Sequence, residues 1–127
     1  MIGLEHVGIC AKNTVALKEW YVNRFGFKTV YDNKKDNPTF FLLMADESML
    51  EIYPMETAVN PGANKFQGIR HLAFGTDDIE KEYRKLLADK VEIIEDLKTS
   101  AKGVKTVFFR DPEGNIIHFI QRPEKLY

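Results

Sequence analysis

The sequence predicts an α+β fold made of two paired βαβββ modules. Three observations predict it. One order of segments, a strand, a helix and three further strands, can be read before residue 55 and again after residue 67. Each copy opens on a strand that carries a histidine, Leu4-Glu5-His6-Val7-Gly8-Ile9 and Arg70-His71-Leu72-Ala73-Phe74. Each copy closes on a strand with an ionisable residue at the matching place, Glu51 in the first and His118 in the second. A repeated unit that cannot close its own core suggests that the two units pair. The expected modules are residues 1–55 and 67–127, joined by a linker at 56–66 and forming one domain. Each is expected to contribute to a curved, mostly antiparallel sheet around a concave cleft, with its helix on the outer face.

The elements follow in order. Residues 2–10 alternate loosely and read as a strand. His6, Gly8 and Cys10 fall on one face of it, Val7 and Ile9 on the other. Asn13-Thr14 is a helix N-cap signal. Leu17, Trp20, Tyr21 and Phe25 then form one helical stripe, and Gly26 is the stop. Phe27–Asn33 reads as a strand, residues 33–38 as a polar turn and Thr39–Met44 as the next strand. Asp46-Glu47-Ser48 makes a tight turn into Met49–Tyr53. Residues 54–67, with two prolines, read as a linker and as a loop over the site.

In the second copy Ile69–Gly75 is a strand, and Asp77 or Asp78 caps a helix with the stripe Ile79, Tyr83, Leu86 and Leu87. Val91–Ile94 is a strand and residues 95–103 a polar connection. Lys105–Arg110 and Ile116–Gln121 are strands. Asp111-Pro112-Glu113-Gly114-Asn115 between them is a strong turn signal, because proline presets one dihedral and glycine supplies a positive φ.

Composition narrows the function classes. The chain has 127 residues, 18 basic and 19 acidic, and a net charge of −1. With no basic block, neither nucleic acid nor an anionic membrane is an expected partner. No apolar run approaches the roughly 20 residues that span a bilayer. The first residues lack the layout of a signal peptide, so a cytoplasmic location is expected. The single cysteine, Cys10, fits a reducing compartment and reads as a small buried hydrophobe rather than a nucleophile.

The chemistry lies in the strand histidines. Taken singly, each strand histidine, and Glu51, reads as a hydrogen-bonded or half-exposed residue. The twofold correspondence of His6 with His71, and of Glu51 with His118, favours a site. A carboxylate between Leu50 and Ile52 is costly to bury unless it is paired or bound to metal. His6, Glu51, His71 and His118 together form an N₃O donor set, which suits Zn, Ni, Co, Fe or Mn better than Mg or Ca.

At this point the sequence resembles the vicinal oxygen chelate superfamily, which includes glyoxalase I, bleomycin-resistance and fosfomycin-resistance proteins, methylmalonyl-CoA epimerase and extradiol dioxygenases. The resemblance rests on the two opening strands, Trp20-Tyr21 with Phe25-Gly26-Phe27, Leu50-Glu51-Ile52-Tyr53, Asp77-Asp78-Ile79, and Phe109-Arg110 with the Asp-Pro-Glu-Gly-Asn turn. It covers nearly the whole chain and is closest to single-chain glyoxalase I-like members. It implies a divalent metal bound by histidine, glutamate, histidine and glutamate. His6, Glu51 and His71 match, and His118 departs from the expected carboxylate.

The implied activity is that of a lyase or isomerase acting on a small α-oxygenated carbonyl compound or thiol adduct through a metal-stabilised enolate. Glu51, as the one carboxylate in the set, is the first candidate base, and His118 the second. Cys10 and Tyr53 read first as core residues and second as pocket residues. The resemblance also implies a homodimer, with the site formed within one chain or across two. A metal-free small-molecule binding protein of the bleomycin-resistance type is the runner-up, and an accessory protein without catalysis a third reading. Specificity would lie in residues 54–67 and 95–103.

Overall fold

A computed structural model of the chain describes residues 1–59, 64–65 and 67–127. The linker expected at 56–66 therefore falls partly outside the described residues. The chain divides into two compact units, Met1–Asn60 and Pro61–Tyr127.

The first unit runs β1 (His6–Ala11), α1 (Thr14–Phe25), β2 (Lys28–Asp32), β3 (Phe40–Leu43) and β4 (Met49–Pro54). Its sheet has the order β1-β4-β3-β2. β1 and β4 are parallel, and the other pairs antiparallel. β1 begins at His6 rather than at residue 2 because its partner strand begins opposite it, at Met49. Asn13 caps α1, its side chain accepting from the Ala16 N–H at 3.0 Å. Gly26 ends the helix in the left-handed region at φ 71°, where an added Cβ would be disfavoured.

One face of this sheet receives α1, which lies against β1, β3 and β4. Ile9, Ala11, Phe40, Leu42, Leu50 and Ile52 are buried there with Leu17 and Tyr21. Full burial of such side chains contributes about 1.5–3 kcal/mol each. Trp20, Tyr21, Phe25 and Phe27 extend this core as an aromatic cluster with ring centroids 4.9–6.4 Å apart.

The second unit repeats the order: β5 (His71–Gly75), α2 (Ile79–Ala88), β6 (Ile93–Thr99), β7 (Lys105–Arg110) and β8 (Ile116–Gln121). Its sheet has the order β5-β8-β7-β6, again with the first and last strands parallel. β5 starts at His71 because β8 first offers a partner at Ile116. Asp78 is the N-cap of α2, accepting from the Lys81 N–H at 3.1 Å. Ile79 and Leu86 are buried under the helix together with Val107, Phe109, Ile117 and Phe119.

Two expectations are corrected in this unit. Leu87 does not join the stripe and is half exposed, because Ile79 and Leu86 already lie on the face that meets the sheet and Leu87 is turned a further 100° away. The stretch expected to be a polar connection from residue 95 is strand as far as Thr99. β6 is an edge strand with register irregularities at Ile93/Glu95 and Glu95/Lys98, so polar and charged side chains are tolerated on it.

The turn at 111–115 is held by one buried carboxylate. Asp111 Oδ1 accepts from the Glu113 and Asn115 N–H groups at 2.9 and 3.0 Å, and its Oδ2 accepts from Asn115 Nδ2 at 2.8 Å. Gly114 takes φ 88°, which glycine adopts without strain. Among the described residues no helix is long and apolar enough to cross a membrane.

Candidate functional site

In the first unit the sheet face opposite α1 carries the candidate residues. The pleat puts Ile9 and Ala11 toward the helix, so His6, Gly8 and Cys10 point the other way. Cys10 is therefore exposed, which corrects the buried reading. Local alternation shows which residues share a face, but the docking of the helix decides which face is covered.

On β4 the register sets Gly8 beside Glu51 and Cys10 beside Tyr53. Glu51 is partly buried, and its Oε1 lies 3.8 Å from His6 Nε2. Tyr53 leans across Gly8: a Cβ at Gly8 would sit 3.1 Å from Tyr53 Cε1 and 3.4 Å from Glu51 Oε1. Tyr53 is thus a half-exposed residue of this face and not part of the core, also a correction. Phe41, opposite Glu51 on β3, meets the His6 ring edge-on at 5.5 Å and the Tyr31 ring at 5.8 Å.

His6 is held from its other side. Its Nδ1 lies 2.7 Å from Glu5 Oε2. The Glu5 carboxylate raises the imidazole above its ordinary value of 6.5, and Glu51 adds to this, while partial desolvation opposes it.

In the second unit the equivalent positions give a histidine pair. Ala73 on β5 is the register partner of His118 on β8, and the His71 and His118 rings meet edge-on at 4.8 Å. Phe108, opposite His118 on β7, stacks flat on it at 4.2 Å. His71 is exposed and its Nδ1 lies 2.9 Å from Asn64 Oδ1. His118 is buried, and its Nδ1 has no hydrogen-bond partner among the described residues. Burial holds its imidazole below 6.5, with His71 and, less strongly, Arg122 pushing the same way, while the Phe119 backbone and Glu95 oppose them.

The geometry therefore yields two donor pairs, His6 with Glu51 and His71 with His118. Among the described residues no cluster of three or more His, Cys, Asp and Glu side chains is set to hold a metal ion. The donors present nevertheless suit one. His118 has a buried nitrogen lacking a partner among the described residues, which is costly unless something accepts or donates there. His6 and His71 each have Nδ1 engaged, so Nε2 is the nitrogen available for coordination. Imidazole nitrogens with one carboxylate suit a divalent transition metal.

Sequence reasoning missed Glu5, Asn64, Phe41 and Phe108. Glu5 adjoins His6 in the chain and was open to notice. Asn64 meets His71 from seven residues earlier in the chain, which no local pattern reports.

Comparison with known proteins gives a consistent picture. The family model described as "Glyoxalase/Bleomycin resistance protein/Dioxygenase superfamily" matches residues 3–119. The uncharacterized protein YaeR of Escherichia coli (strain K12) is 30% identical over 125 residues, covering 90% of this chain and 94% of that protein. Among solved structures, a glyoxalase family protein from Enterococcus faecalis is 29% identical with a TM-score of 0.77, covering 93% of this chain and 96% of that one. A lactoylglutathione lyase from Agrobacterium tumefaciens shares the fold at 20% identity and a TM-score of 0.72, covering 94% of this chain and 92% of that one.

Proposed function

The chain belongs to the glyoxalase/bleomycin resistance protein/dioxygenase superfamily, and on that premise we propose that it is a metal-dependent lyase or isomerase. Its substrate is a small α-oxygenated carbonyl compound or a thiol adduct of one. The observation that carries this reading is the repetition of a donor pair at equivalent strand positions, His6 with Glu51 and His71 with His118. These four residues are the proposed ligands of a Zn, Ni, Co, Fe or Mn ion. When bound, that metal supplies Lewis acidity to the vicinal oxygens of the substrate.

The protein's own groups do the rest. Glu51 is the base that takes the proton from the carbon next to the carbonyl, and the missing side chain at Gly8 lets the Tyr53 ring lie close beside it. His118, buried beside His71, is the second candidate for moving that proton. Tyr31, Phe41 and Tyr53 give the first module's open face an apolar surface on which the rest of a substrate can lie. The same reading makes the protein a cytoplasmic homodimer, with the two modules acting as one domain.

One observation favours a second reading. His118 stands where the resemblance calls for a carboxylate, and a metal-free protein that only sequesters a small molecule would tolerate that change.

The two readings separate by proton exchange in deuterated buffer. Metal-loaded protein is expected to exchange the α-proton of a hemithioacetal or hydroxycarbonyl substrate, and Glu51→Gln is expected to slow it by about two to four orders of magnitude. Binding of such compounds without exchange, at any metal loading, would favour sequestration.

A further inference from the structure

The two opening histidines are tied at the same ring atom by unrelated means. In β1 the partner of Nδ1 is the carboxylate of Glu5, the residue just before His6. In β5 it is the side-chain oxygen of Asn64, which lies well before His71 in the chain. A carboxylate oxygen and an amide carbonyl oxygen only accept, so in each case the imidazole must donate from Nδ1. A neutral imidazole that donates from Nδ1 keeps its lone pair on Nε2. In the first module that Nε2 is the atom 3.8 Å from Glu51 Oε1, which places the lone pair beside the proposed base and ligand.

We infer that Glu5 and Asn64 are positioning residues that lock His6 and His71 in the Nδ1–H tautomer and present Nε2 for coordination. This rests on the metal-dependent reading above. Histidines that bind metals commonly donate the other ring N–H to a carboxylate or carbonyl, which fixes both tautomer and ring orientation. Here the same result is reached twice, with a charged anchor in one module and a neutral anchor in the other. Neither anchor touches the reacting atoms; each acts through the histidine it holds.

The test begins on metal-free protein, at a pH where the rings are neutral, with nitrogen-15 NMR of the histidine side chains. In wild type both His6 and His71 are expected to carry the proton on Nδ1. Glu5→Ala should release His6 alone and Asn64→Ala should release His71 alone. Glu5→Gln and Asn64→Asp, which keep an acceptor oxygen, should restore the tautomer. Both anchors are exposed, so unchanged circular dichroism is expected in every variant.

Titration with Zn should then show about a 10- to 100-fold loss of affinity in each alanine variant, and recovery in the conservative ones. A proton on Nε2 in wild type, or alanine variants that change neither tautomer nor affinity, would overturn the inference. Correct tautomers in a wild-type protein that takes up no metal would uphold the lock and sink the proposed function instead, so the two failures are distinguishable.

Discussion

At the scale of single residues, His118 concentrates the conflict between stability and function. A buried imidazole nitrogen costs about 1–3 kcal/mol when it has no partner, and among the described residues that of His118 has none. His118→Phe keeps a flat ring against Phe108 and removes that nitrogen. The metal-free variant is therefore expected to be as stable as wild type or more stable by about 1 kcal/mol, while losing metal uptake. Chemical denaturation with and without added Zn checks both parts. Gly8 makes a second test. Gly8→Ala sets a methyl group against the half-exposed Tyr53 ring and beside Glu51 Oε1. Turnover should fall with little change in melting temperature, and the Gly8→Ala, Tyr53→Ala double variant should show that the two sites are coupled. The positions of His6, Glu51, His71 and His118 within strands were legible in the sequence, since a period of two follows from the residues themselves. The exposure of Cys10 was not, because it depends on which sheet face α1 covers.

At the scale of elements, α1 is held at its start by a residue from the turn between β2 and β3. Asn37 Oδ1 accepts from the Thr14 hydroxyl at 2.7 Å and from the Thr14 N–H at 3.2 Å, and Asn37 Nδ2 donates to the Lys12 carbonyl at 3.3 Å. Thr14 is fully buried. Asn37→Ala leaves its hydroxyl without that acceptor and is expected to cost about 1–3 kcal/mol, read from a urea transition midpoint with the slope unchanged. In the second unit Lys105 of β7 pairs with Glu80 of α2 and holds the Glu80 carboxyl below its ordinary value of 4.5. A lowered carboxyl contributes stability that is present above that ordinary value and is lost as pH falls through the lowered one. Both groups are partly solvated, so the effect is small. Glu80→Gln should flatten that acid-side loss, as followed by melting temperature against pH.

Most elements could be read from caps, stripes and turns, as Asn13, Gly26 and the Asp111–Asn115 turn illustrate. Strand ends could not, because β1 and β5 begin only where β4 and β8 offer partners. The second half of β6 looks like a connection in the sequence because its exposed edge carries polar residues.

At the scale of the whole molecule, the chain builds one arrangement twice. Each module has a parallel pair of outer chain segments, β1 with β4 and β5 with β8, that sets the opening histidine near the ionisable residue of the closing strand. The order of elements made this repetition visible in the sequence, although few residues are shared between the copies. The central proposal is that His6, Glu51, His71 and His118 are metal ligands. Elemental analysis after offering Zn, Ni, Co and Mn tests it most directly, on wild type, His6→Ala and His71→Ala. The account predicts stoichiometric metal in wild type and little in either variant, one from each module. Wild-type protein that retains no metal, or variants that load as fully as wild type, would contradict it.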